Sequence, residues 1–313
     1  MKSILKLSLY AGMLSLVSST MAIANPLMYT KQEAVMKQLR ASTLESYSNN
    51  SSKLSAGKIV YFGGPVIGHA QVFMILWGNG VVESTKKSLP DFYSSVLGST
   101  YMDWLKMYNT TNITSQDGRV GTNQQIGRGT FMQTIQINPS IVTGSVDDEQ
   151  IRTELEKNIN AGVLPKPTAD TLFMIHFPAN LKITFKADGT VATSCQHFCA
   201  YHNGFESKKN GNIYYGVIPN LDSMACSFGC GSGGSLARQT VCASHELIEA
   251  VTDAFPTPGS QPAFPQAWNT PDGSEVGDLC QSTTGTLTGK AGSYKVQQEW
   301  DNSANSCTTG NYQ

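Results

Sequence analysis

The residues whose types and spacing could do chemistry are concentrated in Ser244-His245-Glu246-Leu247-Ile248-Glu249-Ala250-Val251-Thr252-Asp253. A helix advances about 100° per residue, so His245 and Glu249 stand one turn apart on one face, with Leu247 and Val251 turned away toward a core. This is the spacing of the His-Glu-x-x-His zinc helix, in which the ligands sit at i and i+4 and the Glu between them takes a proton from water. Here the second ligand position holds a carboxylate. Zinc accepts glutamate oxygen, and one imidazole with carboxylates still leaves a position for water. A site richer in carboxylate also admits harder cations such as manganese or calcium. His245 and Glu249 are therefore predicted ligands, Zn2+ the predicted metal, and Glu246 the predicted general base. The same spacing also fits a helix with a merely solvated acidic face and no ion.

A third ligand must come from elsewhere. The segment Asp272-Gly273-Ser274-Glu275-Val276-Gly277-Asp278-Leu279-Cys280 offers Glu275 and Asp278 on a turn-rich stretch that a disulfide could pin beside the helix. Asp253 lies two turns beyond His245, a long reach for ligation that suits it better to orienting a ligand or capping the helix. His202, in Cys199-Ala200-Tyr201-His202-Asn203-Gly204, reads as a loop residue that could ligate or donate a proton. His69, His176 and His197 belong to no such pattern and read as structural. Trp268, Tyr294 and Trp300 read as core or cleft-wall aromatics.

The helix is bounded by the glycine/serine stretch Gly229–Ser235 before it and by Pro256 and Pro258 after it. Ile59–Phe62, Gln71–Trp77, Phe131–Ile137 and Thr171–Phe177 read as strands. Ser99–Tyr108 and Asp147–Ile159 read as helices, the latter with Asp147 and Asp148 at the positive end of its dipole. No repeat period is present. The expected fold is α+β or α/β, one catalytic-like domain over 58–313 with a central sheet and the metal-site helix. Ahead of it, Tyr29–Tyr47 reads as an amphipathic helix and Ser48–Gly57 as a polar linker, so that 25–57 could be a prosegment.

Lys2 and Lys6, the apolar run Leu7–Val17 and Ala22-Ile23-Ala24 have the form of a secretory signal cleaved after Ala24, so residues 1–24 are expected to be removed and the protein to be secreted or periplasmic. The apolar run is shorter than the roughly 20 residues that span a bilayer, and no later run is long enough, so stable membrane insertion is not expected. The chain has 22 Lys and Arg against 23 Asp and Glu, a formal net charge of -1. With no basic field, nucleic acid is not an expected partner. All seven cysteines fall between Cys195 and Cys307, and export favours disulfides over a cysteine zinc site, with one thiol at least left over.

Beyond chemistry, the motif order His245-Glu246-Leu247-x-Glu249-x-x-Thr252-Asp253, Trp268, Glu275-Val276-Gly277-Asp278-Leu279-Cys280 and Tyr294-Lys295-Val296-Gln297-Gln298-Glu299-Trp300-Asp301-Asn302, closing at Cys307, resembles a group of secreted bacterial proteins. Those in turn resemble the plant EXORDIUM or phosphate-induced protein family. Tyr61-Phe62-Gly63-Gly64-Pro65-Val66 is similar to that family's Gly-Gly-Pro strand, and Cys195-x-x-x-Cys199 and Cys226-x-x-x-Cys230 to its paired-cysteine motifs. The likeness touches 58–110 and 170–308. It implies an extracellular, wall-associated protein, and a pairing Cys195–Cys199, Cys226–Cys230 and Cys280–Cys307 with Cys242 reduced and buried. The plant proteins have no established catalytic activity and lack the His-Glu-x-x-Glu helix, so this chain departs from them where the chemistry lies.

Two functional expectations follow. The first is a secreted zinc metallopeptidase-like hydrolase acting on a peptide, protein or cell-wall substrate. The second is a non-catalytic extracellular binding protein of EXORDIUM type with a structural ion or none.

Overall fold

The computed structural model describes residues 58–310 apart from 188–189, 224–225, 228–229 and 257–261. The expected signal segment, N-terminal helix and linker lie outside the described residues, as does Pro258. In chain order, the elements are β1 (Val60–Tyr61), β2 (Gln71–Trp77), α1 (Glu83–Leu97), α2 (Thr100–Asp103) running into a 3-10 turn at Trp104–Tyr108, β3 (Thr130–Ile137), β4 (Gly144–Asp147) and α3 (Asp148–Asn160). They continue as β5 (Thr171–His176), β6 (Leu181–Ala187), β7 (Thr190–Thr193), β8 (Tyr201–Ser207), β9 (Gly211–Ile218), α4 (Ser235–Thr252), β10 (Trp268–Asn269), a 3-10 turn at Asp278–Cys280, β11 (Thr284–Thr288), β12 (Ser293–Gln297), β13 (Glu299–Asp301) and β14 (Ser306–Thr308).

The fold is a mixed α+β one. Its largest sheet has five strands in the order β3-β2-β5-β9-β8, parallel from β3 through β9, with β8 antiparallel at one edge. The central strands are apolar on both sides because both faces are covered. In β2, Val72, Met74 and Leu76 join the core beneath α1 and α4, whereas Phe73, Ile75 and Trp77 join the core beneath α3 with β4 and β6. Strand alternation thus feeds two cores from one sequence run.

The predicted strand runs and the helices over 99–108 and 147–159 all appear. Asp147 caps α3 through a reciprocal pair of bonds with Gln150. The helix α1 and the hairpin β8–β9 were not read from the sequence.

Three disulfides hold the C-terminal half: Cys195–Cys226, Cys199–Cys230 and Cys280–Cys307. The last is the expected bridge, and Cys242 is the buried cysteine outside them. The two within-motif pairings are corrected. The backbone N–H of Cys230 donates to the carbonyl of Cys226 across one helical turn, so the two side chains leave side by side and meet the Cys195–Cys199 segment as parallel rungs. These rungs tie the entry to β8 to the approach to α4. Among the described residues no helix is long and apolar enough to cross a membrane.

Candidate metal centre

The helix α4 lies between the main sheet, through β9, β8 and β5, and the C-terminal strand β12, and so is covered on opposite sides. Every residue from Arg238 to Thr252 is buried, so the face carrying His245 and Glu249 is buried like the apolar one. Nε2 of His245 lies 3.1 Å from Oε2 of Glu249, the one-turn approach that the spacing predicts. Glu246 is the neighbour of both histidines: its Oε1 is 3.9 Å from His245 Nε2 and its Oε2 is 3.4 Å from His202 Nδ1.

His202 is not on a loop. It lies on β8 opposite Gly216 of β9, buried beneath α4, because strand pairing carries it under the helix. Its Nε2 is 3.1 Å from the carbonyl oxygen of Asp253 and 3.4 Å from Glu275 Oε1, and its Nδ1 is 3.7 Å from Glu249 Oε2. With Nε2–H donating to that carbonyl, the Nδ1 lone pair faces the carboxylates.

The Glu275–Asp278 segment closes the other side. The backbone N–H of Glu275 donates to Asp278 Oδ2, and Asp278 Oδ1 comes within 3.8 Å of His245 Nε2. This approach needs a glycine at 277. A Cβ there would stand 2.5 Å from His245 Nδ1 and 2.8 Å from Glu249 Oε1, closer than side-chain atoms tolerate.

Asp253 stands outside the cluster of ligand atoms. Its Oδ1 accepts from the Ala267 N–H and its Oδ2 from the Asn269 amide, both at 2.7 Å, fixing the end of α4 to the strand that follows. Its part in the site is the carbonyl that orients His202. Trp268, beside Asn269, packs on Tyr61 and Tyr108, while Tyr294 packs on Phe92 and Trp300 packs against the same core, so these aromatics belong to the core rather than to the cluster.

Two residues of the site carried no predicted role. Gln297 ends β12 and Glu299 opens β13, and both reach the cluster. Nε2 of Gln297 donates to the Gly277 carbonyl at 2.8 Å and lies 2.7 Å from His245 Nδ1, while Glu299 Oε1 accepts from the Tyr101 hydroxyl at 2.9 Å. The signal was a Gln-x-Glu step at the junction of two C-terminal strands. His245 thus presents Nδ1 to the Gln297 amide and Nε2 to Glu249, while Gln297 Oε1 takes part in no hydrogen bond.

Burial dominates the electrostatics. It holds both imidazoles in the neutral form a metal requires, with pKa values pushed down to about 3. It also pushes the carboxyls of Glu246 and Glu249 well above the usual range, with repulsion from Asp278 and the other acids adding to it. Glu299 is raised by burial, and Asp253 is pushed up to about 7 by burial against the bonds from Asn269 and Ala267. His202 Nδ1, His245 Nε2, Glu246 Oε2 and both oxygens of Glu249 are buried and take part in no hydrogen bond. Such atoms cost free energy where they stand, and a divalent cation is the species that satisfies imidazole lone pairs and carboxylates together.

Two groups of three can each surround an ion, with ligand atoms all within 4.8 Å of one another: His245, Glu249 and Asp278, and His202, Glu246 and Glu249. Glu275 is beside the second group through His202. Compared with protein-family models, curated proteins and solved structures, the chain has no match in any of them.

Proposed function

We propose that the protein is a metal-dependent hydrolase that acts outside the cytoplasm, with zinc as the first-choice ion and a peptide or cell-wall amide as the substrate class. The observation that carries this reading is the set His245, Glu249 and Asp278 around one position, with the Glu246 carboxylate 3.9 Å from His245 Nε2. A divalent cation there would polarise a carbonyl and make water acidic enough to attack it near neutral pH. Glu246 as a carboxylate would take the proton of that water and return it to the leaving nitrogen. Gln297 and the Asp253 carbonyl hold the two imidazoles in place for this. The three disulfides support an oxidising compartment.

The second reading is a non-catalytic extracellular protein of EXORDIUM type with a structural ion. It is favoured by how deeply the cluster is enclosed: the side chains of His202, His245, Glu246, Glu249, Glu275 and Asp278 are at most 2% exposed. Closed centres are the rule for structural ions, and a catalytic ion keeps an open position.

Elemental analysis of the purified protein and turnover on peptide and cell-wall amides separate them. The hydrolase reading expects bound metal that is lost in the double variant His245→Ala and Glu249→Ala. It also expects Glu246→Gln to keep the ion held by His245, Glu249 and Asp278 while turnover falls by about 10²- to 10⁴-fold. Bound metal without turnover on any amide leaves the structural reading standing. Absence of metal after reconstitution removes the hydrolase and the structural ion and leaves an extracellular binding protein without metal.

A further inference from the structure

We infer that the centre is built for two divalent cations bridged by Glu249, an inference that rests on the metal reading above and assigns His202 and Glu246 to the second ion. The two ligand groups share Glu249 alone, and each brings its own histidine. Ligands at about 2.1 Å from one ion lie no more than about 4.2 Å apart. In the first group the histidine meets that limit with each acid, at 3.1 Å for His245 to Glu249 and 3.8 Å for His245 to Asp278. In the second it does so at 3.4 Å for His202 to Glu246 and 3.7 Å for His202 to Glu249.

Glu249 has the form of a bridge. It is fully buried, and its Oε2 approaches a nitrogen of each histidine. Neither of its oxygens takes part in a hydrogen bond, so the carboxylate is free to face both ions. His202 has the form of a ligand rather than of a filler. Its Nε2 is occupied by the Asp253 carbonyl, so the nitrogen left facing Glu246 and Glu249 is the one with the lone pair. Charge agrees with the geometry. Ligation requires the carboxylates as anions. Glu246, Glu249, Glu275, Asp278 and Glu299 then carry five negative charges beside two neutral imidazoles, an excess that two divalent cations offset more fully than one.

The role of Glu246 changes with the second ion: Oε2 serves as its ligand, while Oε1 remains on the side of His245. This separates the inference from the single-ion hydrolase, in which Glu246 touches no metal.

The test is metal stoichiometry. The disulfide-intact protein is stripped with a chelator, titrated with Zn2+, freed of excess metal by gel filtration and assayed for ions per chain, with a parallel Mn2+ loading read by electron paramagnetic resonance. Two ions per chain are expected, with a spin-coupled manganese pair. His202→Ala and Glu246→Gln are each expected to bind one ion and show isolated manganese, and Glu249→Gln to bind less than one. His202→Gln, with circular dichroism as the check on folding, covers the case in which the alanine variant does not fold. One ion per chain in the wild type, unchanged by His202→Ala or His202→Gln, overturns the two-ion centre and leaves the metal reading intact. No ion in the wild type overturns both.

Discussion

Neighbouring residues on one hairpin feed two buried polar clusters on opposite faces of the main sheet, and the clusters end differently. Tyr201 and Tyr215 point to the α3 side, where both hydroxyls donate to Asp148 Oδ1, at 2.7 and 2.8 Å, and Arg152 Nε lies 2.8 Å from Asp148 Oδ2. His202, one residue on, points to the α4 side into a cluster whose nitrogens and carboxylates include five atoms without a hydrogen bond. The first cluster brings its own cation and donors and is complete as protein. The second has acids in excess and no such completion, which is why it reads as a binding site and its neighbour as structure.

Removing metal breaks this comparison most strongly. Chelation is expected to lower the unfolding free energy by about 4 kcal/mol if the ion is normally present at a thousand times its dissociation constant. Denaturant melts with and without chelator check it, and an Asp148→Asn variant should show the same metal-dependent increment as the wild type. Asp148→Asn itself is expected to destabilise by about 2 to 3 kcal/mol with or without metal, because it removes the charge that Arg152 and both tyrosines address. Glu249→Gln should do the opposite in the stripped protein. Replacing a buried carboxyl that has no hydrogen bond with a neutral amide should cost less than about 1 kcal/mol or stabilise, whereas with metal present the same variant should lose the whole metal-dependent increment.

The pH profile sharpens the contrast. The buried acids have folded pKa values above their unfolded ones, so between the unfolded value and the raised one the unfolded chain holds fewer protons, and stability of the stripped protein falls as pH rises. For Asp253 that loss runs from its ordinary carboxylate range to about 7. The two histidines act with the opposite sign: their folded values are about 3, so stability falls as pH drops from their ordinary value near 6.5 toward 3. Melting temperature of the stripped protein should therefore decline as pH rises past the ordinary histidine value of about 6.5, where only the raised acids still contribute, and added Zn2+ should remove that decline, since cation binding needs the acids ionised. A flat profile in chelator would contradict the enclosed, acid-rich centre. Tyr215→Phe is expected to cost about 1 kcal/mol in chemical denaturation, insensitive to metal.

Local pattern made some of this visible in the sequence. Periodicity and composition marked β2, β5 and α3, and the one-turn spacing marked His245 and Glu249, because these depend on neighbours within a few residues. The helix α1 was hidden by Pro90 and its serines, and its form comes from packing under the sheet. The hairpin β8–β9 was hidden by Asn203-Gly204, which reads as a turn. Gly204 is instead mid-strand, where a Cβ would stand 2.9 Å from the Ala254 carbonyl. The same misreading put His202 on a loop. The rung pairing of the cysteines and the arrival of Gln297 and Glu299 depend on contacts between segments far apart in the chain, which no local pattern carries.

That dispersal of the ligands governs when the centre can form. His202, the ligands of α4 and Asp278 come from three separate chain segments, and no hairpin or helix cut from the protein contains a complete set. Contacts of such wide sequence separation are made late, after the loops between them have closed. On the proposed metal reading, a nascent or clipped chain would offer a passing cation at most the single turn of α4, and capture of metal would report finished folding rather than seed it.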